Sequence, residues 1–380
     1  MKRLGDEEIR AVVEVLKREP LCLSGYYKNP SGGPSNQAFE EALAAYHGVG
    51  YAVTCSNGTS ALHLALLACG VKRGDEVIVP PLTFYATASA VLMVGAKPVF
   101  ADVDPKTYNI SPESVNERLT AKTKAVIPVH LLGMPVDMEN LMEVLPGDRK
   151  VWVIEDNAQG IGAKYKGKLT GTFGDASILS FQETKTITTG EGGAVLTNDK
   201  RIAEKVRYLR NHGAQYGLQP YLTYNYRLTE LQAALGLVQL RRLDEFIKMQ
   251  VENAEALFKV LPKEVKPPFK PAYAEPTFYI IGCTVEDGFP REKFVETLTR
   301  KGVNRLLPGA TVGLGYMQTI MELPLLRRFK KPCPNAENLV HRFLWFDCHR
   351  FRTFKEFTEN ELKIIDETFK EMGFNARRGG

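Results

Sequence analysis

From residue 52 onward, short apolar runs alternate with stretches of helical spacing. The runs are 52–55, 76–79, 98–101, 125–129, 151–155, 176–181 and 194–197. Between the first five lie helical patterns at 59–68, 83–94, 112–119 and 138–144. Continuous apolar strands alternating with helices predict an α/β fold, a mainly parallel seven-stranded sheet covered on both faces. No clear helix separates the last two runs, which admits a mixed sheet.

Upstream, Ile9, Val12, Val13 and Leu16 fall at helical spacing and predict a helix over 6–18, with Asp6 as its N-cap. A second helix is predicted over 37–46. Between them, 24–36 is polar and rich in Gly and Pro, a long loop of the kind that carries function. Downstream come a helix at 200–209, an aromatic loop at 216–226 and a helical pattern over 229–261. Unbroken, that last pattern would run about 50 Å and could carry the chain from one domain to the next. A strand at 279–284 and helices at 291–301 and 361–372 then predict a smaller C-terminal α+β domain. The expected division is 1–245 and 246–380, and 380 residues fit two domains.

Composition is that of an ordinary globular protein, 44% hydrophobic and 24% charged, with charges of both signs interspersed to a net +5. No basic tract suggests a nucleic-acid or membrane partner, and Arg327, Arg328, Lys330 and Lys331 read as a solvated turn. None of the six cysteines stands at C-x-x-C spacing, which argues against a zinc or redox motif; Cys55 and Cys69 read as buried. The first twenty residues are too acidic for a secretory signal, and no 18-residue apolar segment occurs, so a cytoplasmic location is expected.

Parallel sheets bind ligands at the carboxyl ends of their strands. After the first strand comes Ser56-Asn57-Gly58-Thr59-Ser60 at a helix start, an anion cradle. After the second come the aromatics Phe84 and Tyr85, after the fourth His130, and at the end of the fifth Glu155-Asp156-Asn157-Ala158-Gln159. The segment 180–193, rich in hydroxyls and glycines, holds Ser180 and Lys185. A lone loop lysine reads as a solvated charge. A lysine, an acid, an aromatic plate and a phosphate cradle on one edge instead describe a site for pyridoxal 5'-phosphate. Lysine carries the aldehyde covalently, and a buried carboxylate keeps the ring nitrogen protonated so that the ring withdraws electrons. The dinucleotide alternative lacks its G-x-G-x-x-G after the first strand, and no Walker sequence occurs.

Six stretches also resemble the DegT/DnrJ/StrS aminotransferases, a branch of the fold-type-I pyridoxal-phosphate enzymes. They are 56–63, 74–80, 83–87, 155–159, 180–193 and Asn225-Tyr226-Arg227. The resemblance covers at least 24–245 and reaches the smaller domain only through 334–340. It implies that Lys185 carries the cofactor, Asp156 pairs with its ring nitrogen, Gln159 contacts its ring hydroxyl and Phe84 stacks on the ring. Gly58, Thr59 and Ser180 would hold the phosphate. Asn225 would reach the phosphate of a neighbouring subunit, which implies a homodimer with composite sites.

The implied reaction moves an amino group from L-glutamate or L-glutamine to a keto group. Family acceptors are mostly keto sugars on a nucleotide diphosphate. A second group aminates keto cyclitols of the scyllo-inosose type using glutamine, and a related member makes an aromatic amino acid. A third has His in place of Lys185 and dehydrates deoxysugars, which Lys185 argues against. Sugar aminotransferases commonly have His where this chain has Gln182, which leans toward the cyclitol group. The acceptor pocket is expected from 24–35, His130, 216–226 and 306–320. The last stretch departs from the family's pattern, as does Phe346-Asp347. His212 and Arg227 are candidate anion binders or structural hydrogen-bonders. A cofactor-binding regulatory protein is the non-enzymatic alternative, with no DNA-binding segment to support it.

Overall fold

The computed structural model describes residues 4–18, 26, 29, 32–213, 222–302, 312–313, 319–346 and 354–375. All seven apolar runs become strands of one sheet: β1 (Tyr51–Cys55), β2 (Glu76–Val79), β3 (Lys97–Phe100), β4 (Thr123–Val126), β5 (Trp152–Asp156), β6 (Ala176–Ser180) and β7 (Gly193–Thr197). Their order is β1-β7-β6-β5-β4-β2-β3. Every pairing is parallel except those of β7, which runs antiparallel to β1 and β6. The reason is local: 181–192 forms no helix, so the chain turns back beside β6 instead of crossing over.

The helices around this sheet are α1 (Asp6–Leu16), α2 (Pro34–His47), α3 (Gly58–Ala68), α4 (Ala86–Met93), α5 (Pro112–Arg118), α6 (Met138–Glu143), α7 (Lys200–Arg210), α8 (Glu230–Arg241) and α9 (Leu243–Val260). Strand alternation divides the core. Val53, Val77 and Ile178 pack with α3, α4 and α7, while Leu179, Ala194 and Leu196 pack with Phe39, Leu43 and Phe246. The fully buried Arg210 bonds Glu40 at 2.6 Å and the Thr54 carbonyl at 2.6 Å, joining α7, α2 and β1. Cys55, Cys69, Cys283 and Cys333 are buried and form no disulfide among the described residues, while Cys22 and Cys348 lie outside them.

Several expectations need correction. Gly5, not Asp6, is the N-cap of α1, and its N–H donates to Glu8 Oε2 at 2.8 Å. The apolar face of α1 is also turned outward: Ile9 is 61% exposed and Leu16 47%. What α1 buries is Val15 together with Glu8, which accepts from Gln239 Nε2 at 2.8 Å and pairs with Arg242. α4 begins at Ala86 and not at 83, because residues 80–85 form no helix, with Leu82 bridged to Thr319. The pattern over 229–261 is two helices, broken where Arg242 leaves helical geometry at φ −99° and ψ 1°.

The C-terminal part forms a four-stranded antiparallel sheet from β8 (Val265–Lys266), β9 (Ile281–Val285), β10 (Val312–Gly313) and β11 (Phe343–Phe346), ordered β8-β9-β11-β10. With α10 (Arg291–Arg300) and α12 (Phe354–Glu371) it encloses a core containing Cys283, Phe294, Leu344 and Phe369. The helix α11 (Pro334–Arg342) and β11 were not foreseen in the sequence. α11 is tied to the large sheet by Asp102, whose carboxylate accepts the N–H groups of Asn335 and Ala336 at 2.9 and 3.0 Å. The expected division at 245/246 falls in the first turn of α9. The start of that helix packs in the large core through Leu243 and Phe246, and its end packs in the small one through Ala254 and Leu257.

Candidate active site

A cavity of about 690 Å³ opens at the carboxyl ends of the parallel strands, within the size range of small-molecule sites. Gly58, Thr59, Phe84, Asp156, Gln159, Ser180 and Lys185 all line it. Seven of the eight predicted site residues therefore meet in one place. The eighth, Asn225, is exposed, lies outside this cavity and bridges to Asn211.

Each side chain has a physical reason for its position. Asn57 caps α3 by accepting the Ser60 N–H at 2.8 Å. The N–H groups of Gly58 and Thr59, in the first turn, have no intrahelical acceptor and face the anion-attracting end of the helix. A Cβ at Gly58 would lie 2.9 Å from Ser180 Cβ, so glycine is what lets the helix end lie against Ser180.

Strand alternation separates the neighbouring acids at the end of β5. Glu155, fully buried, accepts from the N–H groups of Gly171, Phe173 and Gly174 at 2.7 Å each and from His130 Nε2 at 2.9 Å. Burial pushes its carboxyl up, but His130 and the Gly174 and Gly171 N–H groups outweigh that and hold it below its ordinary value. Asp156 lines the cavity, with Oδ2 accepting from Thr87 Oγ1 at 2.8 Å and Oδ1 from the Ala158 N–H at 3.2 Å. Burial raises its carboxyl above the ordinary value, against the pull of Thr87, Ala158 and the Lys185 charge.

Gln159 Oε1 accepts the Leu132 N–H at 2.7 Å, which fixes the amide and leaves its NH₂ for the cavity. Phe84 is 58% exposed, its ring 4.4 Å from that of Tyr85. Gln182 Oε1 accepts from both the N–H and the hydroxyl of Thr184, at 2.8 and 2.6 Å.

His130 corrects an expectation. It does not line the cavity: it is fully buried, with Nε2 on Glu155 and Nδ1 accepting the Val136 N–H at 3.1 Å. Nε2 ties the segment after β4 to β5, and Nδ1 ties it to the loop at Val136. Arg227 donates to Asn211 Oδ1 at 2.9 Å, His212 is exposed, and neither lines the cavity. Much of 24–35, 216–226 and 306–320, and Asp347, lie outside the described residues.

Sequence reasoning assigned no role to Thr83, Thr87 or Tyr279. Thr83 Oγ1 bonds Thr87 Oγ1 at 2.9 Å, and Thr87 bonds Asp156. Since Thr87 has one hydroxyl proton and donates it to Asp156, Thr83 donates to Thr87. The spacing of four residues at the entry of α4 was the available signal.

A mostly parallel seven-stranded sheet with this cavity at its carboxyl edge is the architecture of the fold-type-I pyridoxal-phosphate-dependent transferases. The chain belongs to the DegT/DnrJ/EryC1/StrS aminotransferase family, whose model matches residues 3–362. A GDP-perosamine synthase of Escherichia coli O157:H7 is 48% identical over 228 residues, 59% of this chain. The chain thus spans 62% of the length of that curated relative. The structure of an aminotransferase from Psychrobacter cryohalolentis superposes with a TM-score of 0.86 at 30% identity, covering 97% of this chain and 98% of that one. A 3-amino-5-hydroxybenzoic acid synthase structure gives 0.84 at 28% identity, with 97% of each chain covered.

Proposed function

We propose that the protein is a pyridoxal-phosphate-dependent aminotransferase that moves an amino group from L-glutamate or L-glutamine to a keto group of a nucleotide-linked sugar. The observation that carries this is the convergence of Lys185, Asp156 and the N-terminus of α3 on one cavity. A relative whose name places its product on GDP supports the acceptor class.

The residues present fit the cofactor. Asp156 is a buried carboxylate with two hydrogen-bond donors and a raised proton affinity, a site that gains from a cationic ring nitrogen. Gly58, Thr59 and Ser180 would hold the phosphate, the Gln159 NH₂ would be available to the ring hydroxyl, and Phe84 would cover the ring. When bound, the cofactor supplies an electron-withdrawing ring that acidifies the Cα–H of the donor. Lys185 would anchor the cofactor and, with Nζ free, would serve as the base for the Cα proton of the donor. Asp156 would keep the ring nitrogen protonated.

Asn225 completes the phosphate site of a second copy, and the outward apolar face of α1 supports a homodimer. Residues 1–245 form the cofactor-binding domain and 246–380 the smaller one. One observation favours the keto-cyclitol reading: Gln182 lines the cavity, with its oxygen engaged by Thr184 and its NH₂ left for a ligand hydroxyl.

The test is a half-reaction. L-glutamate or L-glutamine added to the holoenzyme should bleach the absorbance of the lysine-bound cofactor, and Lys185→Ala should never develop it. The aminated form should then be discharged by keto sugars on a nucleotide diphosphate and not by keto cyclitols. No bleaching by any amino acid would sink the aminotransferase reading, and discharge by cyclitols alone would shift the acceptor.

A further inference from the structure

Among the described residues that line the cavity, Tyr279 is the one that comes from the C-terminal part of the chain; all the others lie at or before residue 191. It is 2% exposed and stands two residues before β9. Its ring lies against the lysine, with Lys185 Nζ 4.8 Å from the centroid. Its hydroxyl lies 3.1 Å from Thr184 Oγ1, and that oxygen donates to Gln182 Oε1 at 2.6 Å. The single proton of Thr184 is thereby spent, so Tyr279 is the donor to Thr184. The Lys185 N–H donates to the Gln182 carbonyl at 2.9 Å. Tyr279 therefore holds the lysine from two directions, by its ring face at Nζ and by its hydroxyl through the turn that carries the lysine backbone.

The placement of this ring is strained. Phe278 has φ +49°, an uncommon conformation for a bulky side chain. It is held there by the Thr277 N–H on the Gly133 carbonyl at 3.0 Å and by edge contact of the Phe278 and Phe258 rings at 5.6 Å. A Cβ on Gly133 would lie 2.4 Å from Thr277 Oγ1, so the backbone approaches closely at that anchor. Strain kept by surrounding packing is a mark of functional placement.

We propose that Tyr279 is a positioning residue for Lys185. It receives the lysine ammonium on its ring face whenever Nζ is free of the cofactor, and it fixes the 182–185 turn through Thr184. Because Tyr279 leads into β9, the seating of the C-terminal sheet sets the orientation of the lysine. The ring quadrupole attracts the ammonium to the face of Tyr279. Nζ thus stays within reach to take and return a proton. The inference rests on the reading of Lys185 as the lysine that carries the cofactor.

The test compares Tyr279→Phe, Tyr279→Leu and Thr184→Val with the wild type. Three readouts apply: the rate at which apoprotein develops the lysine-bound absorbance on adding pyridoxal 5'-phosphate, the pH midpoint of that absorbance in the holoenzyme, and the single-turnover rate with L-glutamate. Loss of the ring in Tyr279→Leu should slow both rates about tenfold, the scale of a buried cation–π contact, and move the pH midpoint. Tyr279→Phe keeps the ring and should show the smaller slowing that Thr184→Val also shows, with KM for the donor unchanged. A residue that merely fills the core would lower the melting temperature and leave the midpoint where it was. Wild-type rates and midpoint in a folded Tyr279→Leu protein would overturn the proposal. Wild-type rates in Thr184→Val, which leaves the core untouched, would overturn the hydroxyl link even where the Leu variant fails to fold. Covalent absorbance in Lys185→Ala would instead remove the underlying reading of the lysine.

Discussion

Replacing Thr87 by Val removes one hydroxyl and keeps the side-chain shape. In the wild type that hydroxyl donates to Asp156 Oδ2 at 2.8 Å, and both residues are buried, at 0% and 5% exposure. Hydrogen bonds to charged groups contribute about 1.5–3 kcal/mol, and a buried carboxylate left short of a donor bears that loss in full. Cofactor affinity depends on the same carboxylate being ionised under the ring nitrogen. The variant should therefore bind pyridoxal 5'-phosphate about 10- to 150-fold more weakly. The loss should deepen as pH falls. Burial already raises the proton affinity of Asp156, so its charge is lost as pH drops through that raised value, and removing Thr87 moves the loss to higher pH. The assay is an absorbance titration of apoprotein with cofactor at several pH values. Thr87→Ser, which keeps the hydroxyl, should restore most of the affinity. Wild-type affinity and pH dependence in Thr87→Val would refute the role of the hydroxyl in holding the charge on Asp156.

Three further outcomes are expected. Gly58→Ala should keep the fold but weaken cofactor binding about tenfold or more in the same titration, because its Cβ would meet Ser180 Cβ at 2.9 Å. Asp156→Asn should still link cofactor to Lys185 yet fail at Cα proton removal, seen as a lost deuterium exchange of L-glutamate at Cα; wild-type exchange would end the electron-sink assignment. Glu155→Gln should lower stability by about 2–4 kcal/mol in urea, since an amide cannot accept from four converging donors. Held below its ordinary value, Glu155 contributes stability that is present above the unfolded carboxyl range and lost as pH falls through the lowered folded value. The variant's deficit should shrink below that range, and a deficit that does not vary with pH would contradict this.

The sheet was legible because its strands are buried on both faces, so each is an uninterrupted apolar run: Glu76–Val79 has its expected bounds, and the others differ by one to three residues at their ends. The cavity residues were legible because strand ends bring distant segments together in a known order. Asp156, Lys185 and Gly58 needed only to follow their strands. What sequence reasoning missed is what depends on packing between elements. The apolar positions of α1 predict a buried stripe, but the pairing of Glu8 with Arg242 and Gln239 decides which face is inside. His130 stands at a strand end like the ligand-facing residues, but a carboxylate on the neighbouring strand claims its ring. Tyr279 could not be assigned because its position depends on how the C-terminal sheet meets the first one.

Adjacent residues 155 and 156 show how the site spends its hydrogen bonds. Both are acids on the same buried strand, and desolvation penalises both charges. Glu155 receives four donors, and its charge is settled by the protein alone. Asp156 receives two, and desolvation prevails. The fold could not supply more donors to Asp156 without filling the cavity that it lines. A charge left partly uncompensated at the floor of a cavity costs stability in the empty protein: the raised proton affinity means that its contribution is present below the ordinary Asp range and lost as pH rises through the raised value. The same deficit is a binding energy for any ligand that brings a cation to that spot. The chain thus keeps one acid for structure and the next for a ring nitrogen, and the difference between them lies in donors counted on opposite faces of β5.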